Sequence, residues 1–221
     1  MGKTAVLVDG GFYRVRAQTL WGDKKADERA KELWDYCMRH LTERNQKGET
    51  TQHMLYRIFY YDCPPINKKL FHPFLQRQVD FAKSDLYTWM NAFLEALKTK
   101  RKLALRLGKL SETQAYYGLK DDIIKKLCRK AITWDDLSEA NFKLYLEQKG
   151  VDMKIGVDIA SISFKKQVEQ IVLISGDSDF VPAAKLARRE GIDFILDPMG
   201  AAIKPDLFEH IDGKRSIRLK D

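Results

Sequence analysis

The sequence has little cysteine and little histidine. Of its 221 residues only Cys37, Cys63 and Cys128 are cysteines. They lie far apart with no Cys-x-x-Cys spacing, which argues against both a zinc site and a disulfide framework. A reducing cytoplasm is the compartment that suits such a chain. The four histidines, His40, His53, His72 and His210, stand beside no motif, so no serine–histidine–acid arrangement can be picked out. No apolar run approaches the roughly 20 residues of a membrane span. The opening stretch MGKTAVLVDGG has one lysine and a strand-like run too short for a signal segment. Gly2 does not begin a myristoylation pattern, because residue 6 is Val6 rather than serine or threonine. Repeats, low-complexity tracts and a clear linker are also missing.

What is present is charge. Hydrophobic residues make up 44% of the chain, enough for a proper core, and 39 Lys plus Arg against 31 Asp plus Glu leave 39 − 31 = +8. A basic surface suits a polyanionic partner, nucleic acid first, although charge alone serves solubility equally well. At 221 residues the length fits a single domain spanning 1–221, with a decorating insertion over about 66–140.

Short apolar runs alternate with helical periodicity at both ends of the chain. TAVLVD (4–9), YRIFYYD (56–62), QIVLIS (170–175) and IDFIL (192–196) read as buried strands. LALRL (103–107) is a further strand candidate, and FKLYLEQKG (142–150) alternates as a half-exposed strand does. Helical spacing is expected over 26–46, 66–100, 119–131, 155–166 and 182–190. Pro182 near the start and Gly191 just past the end punctuate the last of these. The pattern predicts an α/β fold, a parallel sheet with helices on both faces and a helical insertion.

Asp9, Asp62, Asp177 and Asp197 each follow a predicted strand at its C-terminal end, the edge where ligands bind in such sheets. Asp158 adds a helix acid, and Asp152 precedes it. Asp9, Asp158, Asp177 and Asp179 on one edge would repel unless a cation sat among them, and hard oxygen donors suit Mg²⁺ or Mn²⁺. Each acid also has an ordinary structural use. Asp177 and Asp179 can cap the next helix, Asp9 before two glycines can serve a turn, and Asp62 and Asp197 precede prolines in turn-like sequences.

At these residues the chain resembles a NYN domain, in the LabA-like branch of the PIN-like nuclease superfamily. The matching pieces are VLVDGGFY (6–13), YRIFYYDCPP (56–65), KGVDMKIGVDI (149–159) and VLISGDSDFVPAAKLARREG (172–191), with SGDSDF the most specific. The resemblance implies a Rossmann-like (PIN-like) sheet and a Mg²⁺- or Mn²⁺-dependent ribonuclease. Its catalytic and metal-holding acids fall on Asp9, Asp158, Asp177 and Asp179. Many members carry an asparagine shortly after the first aspartate, where this chain has Gly10, Gly11 and Phe12. Other readings are a catalytically silent RNA- or protein-binding regulatory module on the same fold, and a phosphatase-type or Toprim-like phosphoryl-transfer domain.

The expected partner is single-stranded RNA, with no membrane partner and room for a homo-oligomer. Lys100, Arg101 and Lys102, together with Arg188 and Arg189, are the expected phosphate contacts. Tyr13, Tyr60, Tyr61, Tyr116 and Tyr117 are candidates for stacking on bases, and such aromatics equally serve a core.

Overall fold

In a computed structural model, which describes residues 2–44, 48–111 and 115–217, the chain divides into two compact units. The first comprises residues 1–63, 92–108 and 150–221, and the second residues 64–91 and 109–149.

In the first unit, strand β1 (Lys3–Asp9) runs directly into helix α1 (Gly10–Trp21), followed by α2 (Ala26–Arg39). A short hairpin, β2 (Thr42–Arg44) with β3 (Thr50–Gln52), leads to β4 (Met54–Asp62). In the second unit, β5 (Lys69–His72) and β6 (Arg77–Asp80) form an antiparallel hairpin. Helix α3 (Asp85–Lys98) carries the chain across the boundary to β7 (Leu103–Leu107) of the first unit. The second unit resumes with β8 (Lys109–Leu110), β9 (Tyr116–Leu119), α4 (Asp121–Cys128), β10 (Phe142–Tyr145) and β11 (Gln148–Lys149). The first unit closes with α5 (Val151–Phe164), β12 (Gln170–Ile174), α6 (Val181–Arg189), β13 (Asp193–Asp197), α7 (Pro205–Glu209) and β14 (Gly213–Lys214).

The first unit is built on a six-stranded sheet in the order β14-β13-β12-β1-β4-β7, every pairing parallel. Ala5 to Val8 and Ile171 to Ile174 are fully buried at consecutive positions. Successive strand residues face opposite sides, so both faces of the sheet are covered, as its helices require. The chain steps outward from β1 through β4 to β7, then returns to β12 on the other side of β1 and steps outward again to β13 and β14. The strand order reverses between β1 and β12, and the carboxyl ends of these two strands are where sheets of this kind bind ligands.

Several elements differ from their sequence expectation. Residues 66–100 do not form one long helix: the hairpin 69–80 comes first, and α3 begins at Asp85. The hairpin buries Leu70 and His72 at a spacing of two, and the His72 ring packs 4.2 Å from Tyr117 and 5.5 Å from Phe142. The insertion therefore carries short strands as well as helices. Helix α2 stops at Arg39 rather than continuing to residue 46, and α5 starts at Val151 rather than 155. Helix α1 takes the place of the turn expected after Asp9. A Cβ at Gly10 would stand 2.5 Å from the Tyr60 ring and 2.6 Å from the Tyr61 carbonyl oxygen, so only glycine lets α1 start this close to β4.

Candidate active site

The crevice between β1 and β12 is edged by carboxylates. Asp9 ends β1, and one of its oxygens caps α1 by accepting from the Phe12 N–H at 3.1 Å. Its other oxygen accepts from the buried Ser175 hydroxyl at 3.2 Å. Burial first, and then the Asp152 and Asp62 charges, hold the Asp9 carboxyl above the usual carboxylate range against these two hydrogen bonds. Beyond β12, Asp177 accepts from the Asp179 N–H at 3.0 Å and caps the turn that leads into α6. Gly176 lies against the Phe12 ring, where a Cβ would come within 2.8 Å of it.

Asp152, in the first turn of α5, completes the group. Its carboxyl is raised above the usual range by burial and then by the charges of Asp177 and Asp179. Asp152 thus links Asp9 on one side with Asp177 and Asp179 on the other through the repulsion of their charges. Of the two acids on α5, Asp152 is the one that acts on Asp9 and is acted on by Asp177 and Asp179, while Asp158 is bonded to Tyr61 and Arg106. The two lie six positions apart on α5, a rotation that leaves them roughly 120° from one another. They flank the buried stripe of Ile155, Ile159 and Ile162 on opposite sides. Asp158 faces β4 and β7, and its Oδ2 accepts from the Tyr61 hydroxyl at 2.8 Å and from Arg106 Nε at 3.0 Å.

The remaining strand-end acids are buried and held by partners inside the protein. Asp62, 1% exposed, is held by Arg14 through two bonds of 2.9 and 3.1 Å, by the Tyr60 hydroxyl at 2.8 Å and by the Cys63 N–H at 2.8 Å. Asp197, fully buried, is bound by the Tyr36 hydroxyl, by His40 Nε2 at 2.8 Å and by the Met199 N–H at 2.7 Å. Among the described residues, Asp9, Asp152, Asp177 and Asp179 form no ion pair with lysine, arginine or histidine. Lys204 comes near, donating to the Ser178 hydroxyl at 3.0 Å. Motif reading picked out neither Ser175, which bonds Asp9, nor Lys204, which bonds Ser178. Ser175 sits inside SGDSDF, where a buried hydroxyl beside an acid was available to be read.

The expected phosphate contacts are at the other edge. Lys100, Arg101 and Lys102 immediately precede β7, and Arg188 and Arg189 end α6 just before β13, so all five lie at the N-terminal edge of the parallel sheet. A five-residue strand separates that edge from the acids by about 16 Å. Lys102 Nζ donates to the Leu55 carbonyl at 2.5 Å, and Arg188 pairs with Asp212 at 2.8 Å. Tyr13, Tyr60 and Tyr61 are fully buried and belong to the core, while Tyr116 is exposed and Tyr117 half-buried in the second unit.

As chemistry, four carboxylates without a paired cation are a hard oxygen donor set, suited to Mg²⁺ or Mn²⁺. As the side chains stand, no three His, Cys, Asp or Glu groups among the described residues converge to hold a metal ion. The donor types fit such an ion, and closing on one would require the exposed Asp152, Asp177 and Asp179 side chains to turn inward.

A parallel α/β sheet whose switch-point crevice is lined by acids defines the PIN-like class of fold. The NYN domain profile matches residues 3–203, and the chain belongs to the NYN domain family. NYN domains are generally nucleases, and such nucleases usually work with divalent metals. No curated protein matches the chain. A crystal structure of a protein of unknown function from Vibrio parahaemolyticus is similar at 12% identity and a TM-score of 0.47, covering 98% of this chain and 93% of that one. Among the described residues no helix is long and apolar enough to cross a membrane.

Proposed function

We propose that the protein is a metal-dependent endoribonuclease of the LabA-like branch, acting on single-stranded RNA with Asp9, Asp152, Asp177 and Asp179 as its working acids. One contrast carries the reading. Asp62 and Asp158 are paired with Arg14 and Arg106, and Asp197 is hydrogen-bonded by Tyr36 and His40, whereas among the described residues Asp9, Asp152, Asp177 and Asp179 have no ion-pair partner. Carboxylates that repel one another without a paired cation are retained at a cost in stability, which is reasonable where a cation is to be bound. Bound there, Mg²⁺ or Mn²⁺ would supply Lewis-acid chemistry, acidifying water and offsetting charge on a phosphodiester.

The protein's own contribution is positioning. Ser175 and the Phe12 N–H fix the Asp9 carboxylate, with one hydrogen bond to each of its oxygens. The Asp179 N–H fixes Asp177, and the Gly176–Phe12 contact sets the loop that presents it. Lys204 beside Ser178 is a cation available to a phosphate oxygen at the same edge. The basic residues Lys100, Arg101, Lys102, Arg188 and Arg189 serve the outer length of an RNA strand, since they lie a strand's length away. The second unit we take as decoration of one NYN domain. Three cysteines far apart in the sequence, two of them buried, suit a cytoplasmic protein.

Incubation of the full chain with a mixed pool of single-stranded RNA, with Mn²⁺ and with EDTA, tests the reading. Cleavage that EDTA stops and added Mn²⁺ restores is expected, together with its loss in a folded Asp177→Asn protein. Asparagine caps nearly as well as aspartate, so this substitution separates charge from capping. RNA binding without cleavage in either condition would mark a silent binding module instead.

A further inference from the structure

Asp158 and its neighbours form a second arrangement on the flank of α5 away from the four acids. Arg106, on β7, lies over the Phe59 ring with its guanidinium carbon 5.3 Å from the ring centre, and its Nε donates to Asp158 at 3.0 Å. Asp158 is itself held by the buried Tyr61 hydroxyl through the same oxygen. One face and one nitrogen of the guanidinium are thus fixed, and among the described residues its two terminal nitrogens make no hydrogen bond, in a side chain 45% exposed. They border a recess of about 240 Å³ lined by Arg106, Met153, Lys154, Val157 and Asp158. Lys154 is tethered by its ammonium to the Leu107 carbonyl at 2.6 Å, which leaves further donors on that nitrogen. Met153 and Val157, 72% and 57% exposed, provide an apolar wall. Two cations face one carboxylate, so the recess is net positive, and Asp152 is the residue adjoining Met153 on the chain.

We propose that Arg106, oriented by Asp158 and Phe59 and assisted by Lys154, binds a backbone phosphate of the RNA strand away from the bond cleaved. Asp158 is then a positioning residue. The proposal rests on the nuclease reading and deepens it by naming a second contact for the same RNA strand. A guanidinium pinned at Nε and stacked on a ring has already lost its rotamer freedom, so two parallel bonds to a phosphate form at little further entropic cost. The plain alternative is an ion pair on the surface, which does nothing for RNA.

Anisotropy of a labelled single-stranded oligoribonucleotide, measured in EDTA against salt concentration, separates the two. Arg106→Gln is expected to weaken binding about tenfold, the scale of one charge-assisted contact. The same change should lower the salt slope by about 0.7, the value for one single-strand phosphate. Arg106→Lys should weaken binding and keep the slope. Asp158→Asn is the decisive variant, because removing a negative charge near a polyanion should tighten binding unless the carboxylate is needed to aim Arg106. Weaker binding by Asp158→Asn, with unchanged Mn²⁺ affinity by calorimetry, is the expected result. Tighter or unchanged binding, or an unchanged slope in Arg106→Gln, overturns the clamp. EDTA-reversible cleavage by the wild-type protein, run in parallel, keeps the two claims apart: a failed clamp leaves cleavage standing, and absent cleavage with normal binding defeats the nuclease reading alone. Wild-type protein that binds no RNA overturns the clamp as well.

Discussion

Replacing Asp152 with asparagine should stabilise the metal-free protein and, in the same molecule, blunt its response to Mn²⁺. The carboxyl of Asp152 senses Asp177 and Asp179, and it in turn acts on Asp9, so three like charges are relieved at once. Partly exposed like-charge pairs cost about 0.2–0.5 kcal/mol each, which makes the relief about 1 kcal/mol. For a chain of 221 residues that is a rise in Tm of about 2–4 °C. Mn²⁺ at a hundred times its Kd should stabilise the wild type by about 2.7 kcal/mol, and a tenfold loss of affinity in the variant cuts this to about 1.4 kcal/mol. Thermal melts of both proteins, with EDTA and with Mn²⁺, give the four numbers needed. An unchanged EDTA melt together with an undiminished Mn²⁺ shift in Asp152→Asn would refute the reasoning, since the residue could then be neither repelled by its neighbours nor a metal ligand.

Three further outcomes follow from the same geometry. Asp62→Ala strands the Arg14 guanidinium and the Tyr60 hydroxyl, and should lower stability by about 3 kcal/mol in urea melts, the low end for a broken buried pair because Arg14 is partly exposed; a loss below about 1 kcal/mol would contradict the structural role given to Asp62. Asp9 and Asp152 have carboxyls raised in the folded state, so the native protein holds extra protons just above the ordinary carboxylate range and their contribution to stability is lost as pH rises through the raised values. The stabilisation of an Asp9→Asn, Asp152→Asn double variant over metal-free wild type should accordingly grow with pH through the weakly acidic region and then level off, and a pH-independent difference would speak against the shifts. Replacing Lys100, Arg101 and Lys102 with alanine should weaken binding of long RNA and spare an oligomer of about four nucleotides, because their edge of the sheet lies about 16 Å from the acids; equal losses for both lengths would place these residues in the crevice itself.

Much of this architecture is legible in the residues. The apolar runs ending in Asp9 and Ser175 have no alternation, as strands covered on both faces require, and the Pro182–Gly191 punctuation bounds α6 to within a residue. The site's position follows from parallel topology alone, since Asp9 ends β1 and Asp177 follows β12, the two strands that flank the switch point. The edge assignment of Lys100 to Lys102 was open to the same logic, because residues that precede a parallel strand lie opposite to those that follow it. Helix α1 was not legible: its buried residues Gly10, Tyr13 and Ala17 keep helical spacing, but two of the three are small and give little hydropathy signal, and Gly10-Gly11 reads locally as a turn. The hairpin at 69–80 hid behind Phe71 and Phe74, whose spacing of three mimics a helix although the buried residues are Leu70 and His72. The helix acid was ambiguous for a geometric reason. Asp152 and Asp158 border the same buried stripe on its two sides, and only tertiary packing decides which side faces β12 and which faces β4 and β7.

The central claim is that Asp9, Asp152, Asp177 and Asp179 together hold a divalent cation at the switch point. Crystals of the full chain soaked in Mn²⁺ and measured for anomalous scattering at the manganese edge address it most directly. An anomalous peak within coordination distance of Asp9 and at least one of Asp152, Asp177 and Asp179 is the predicted result, with Asp158 still bound to Arg106. A peak at Asp158 instead, or no peak in the crevice at a Mn²⁺ concentration that supports cleavage, would contradict it.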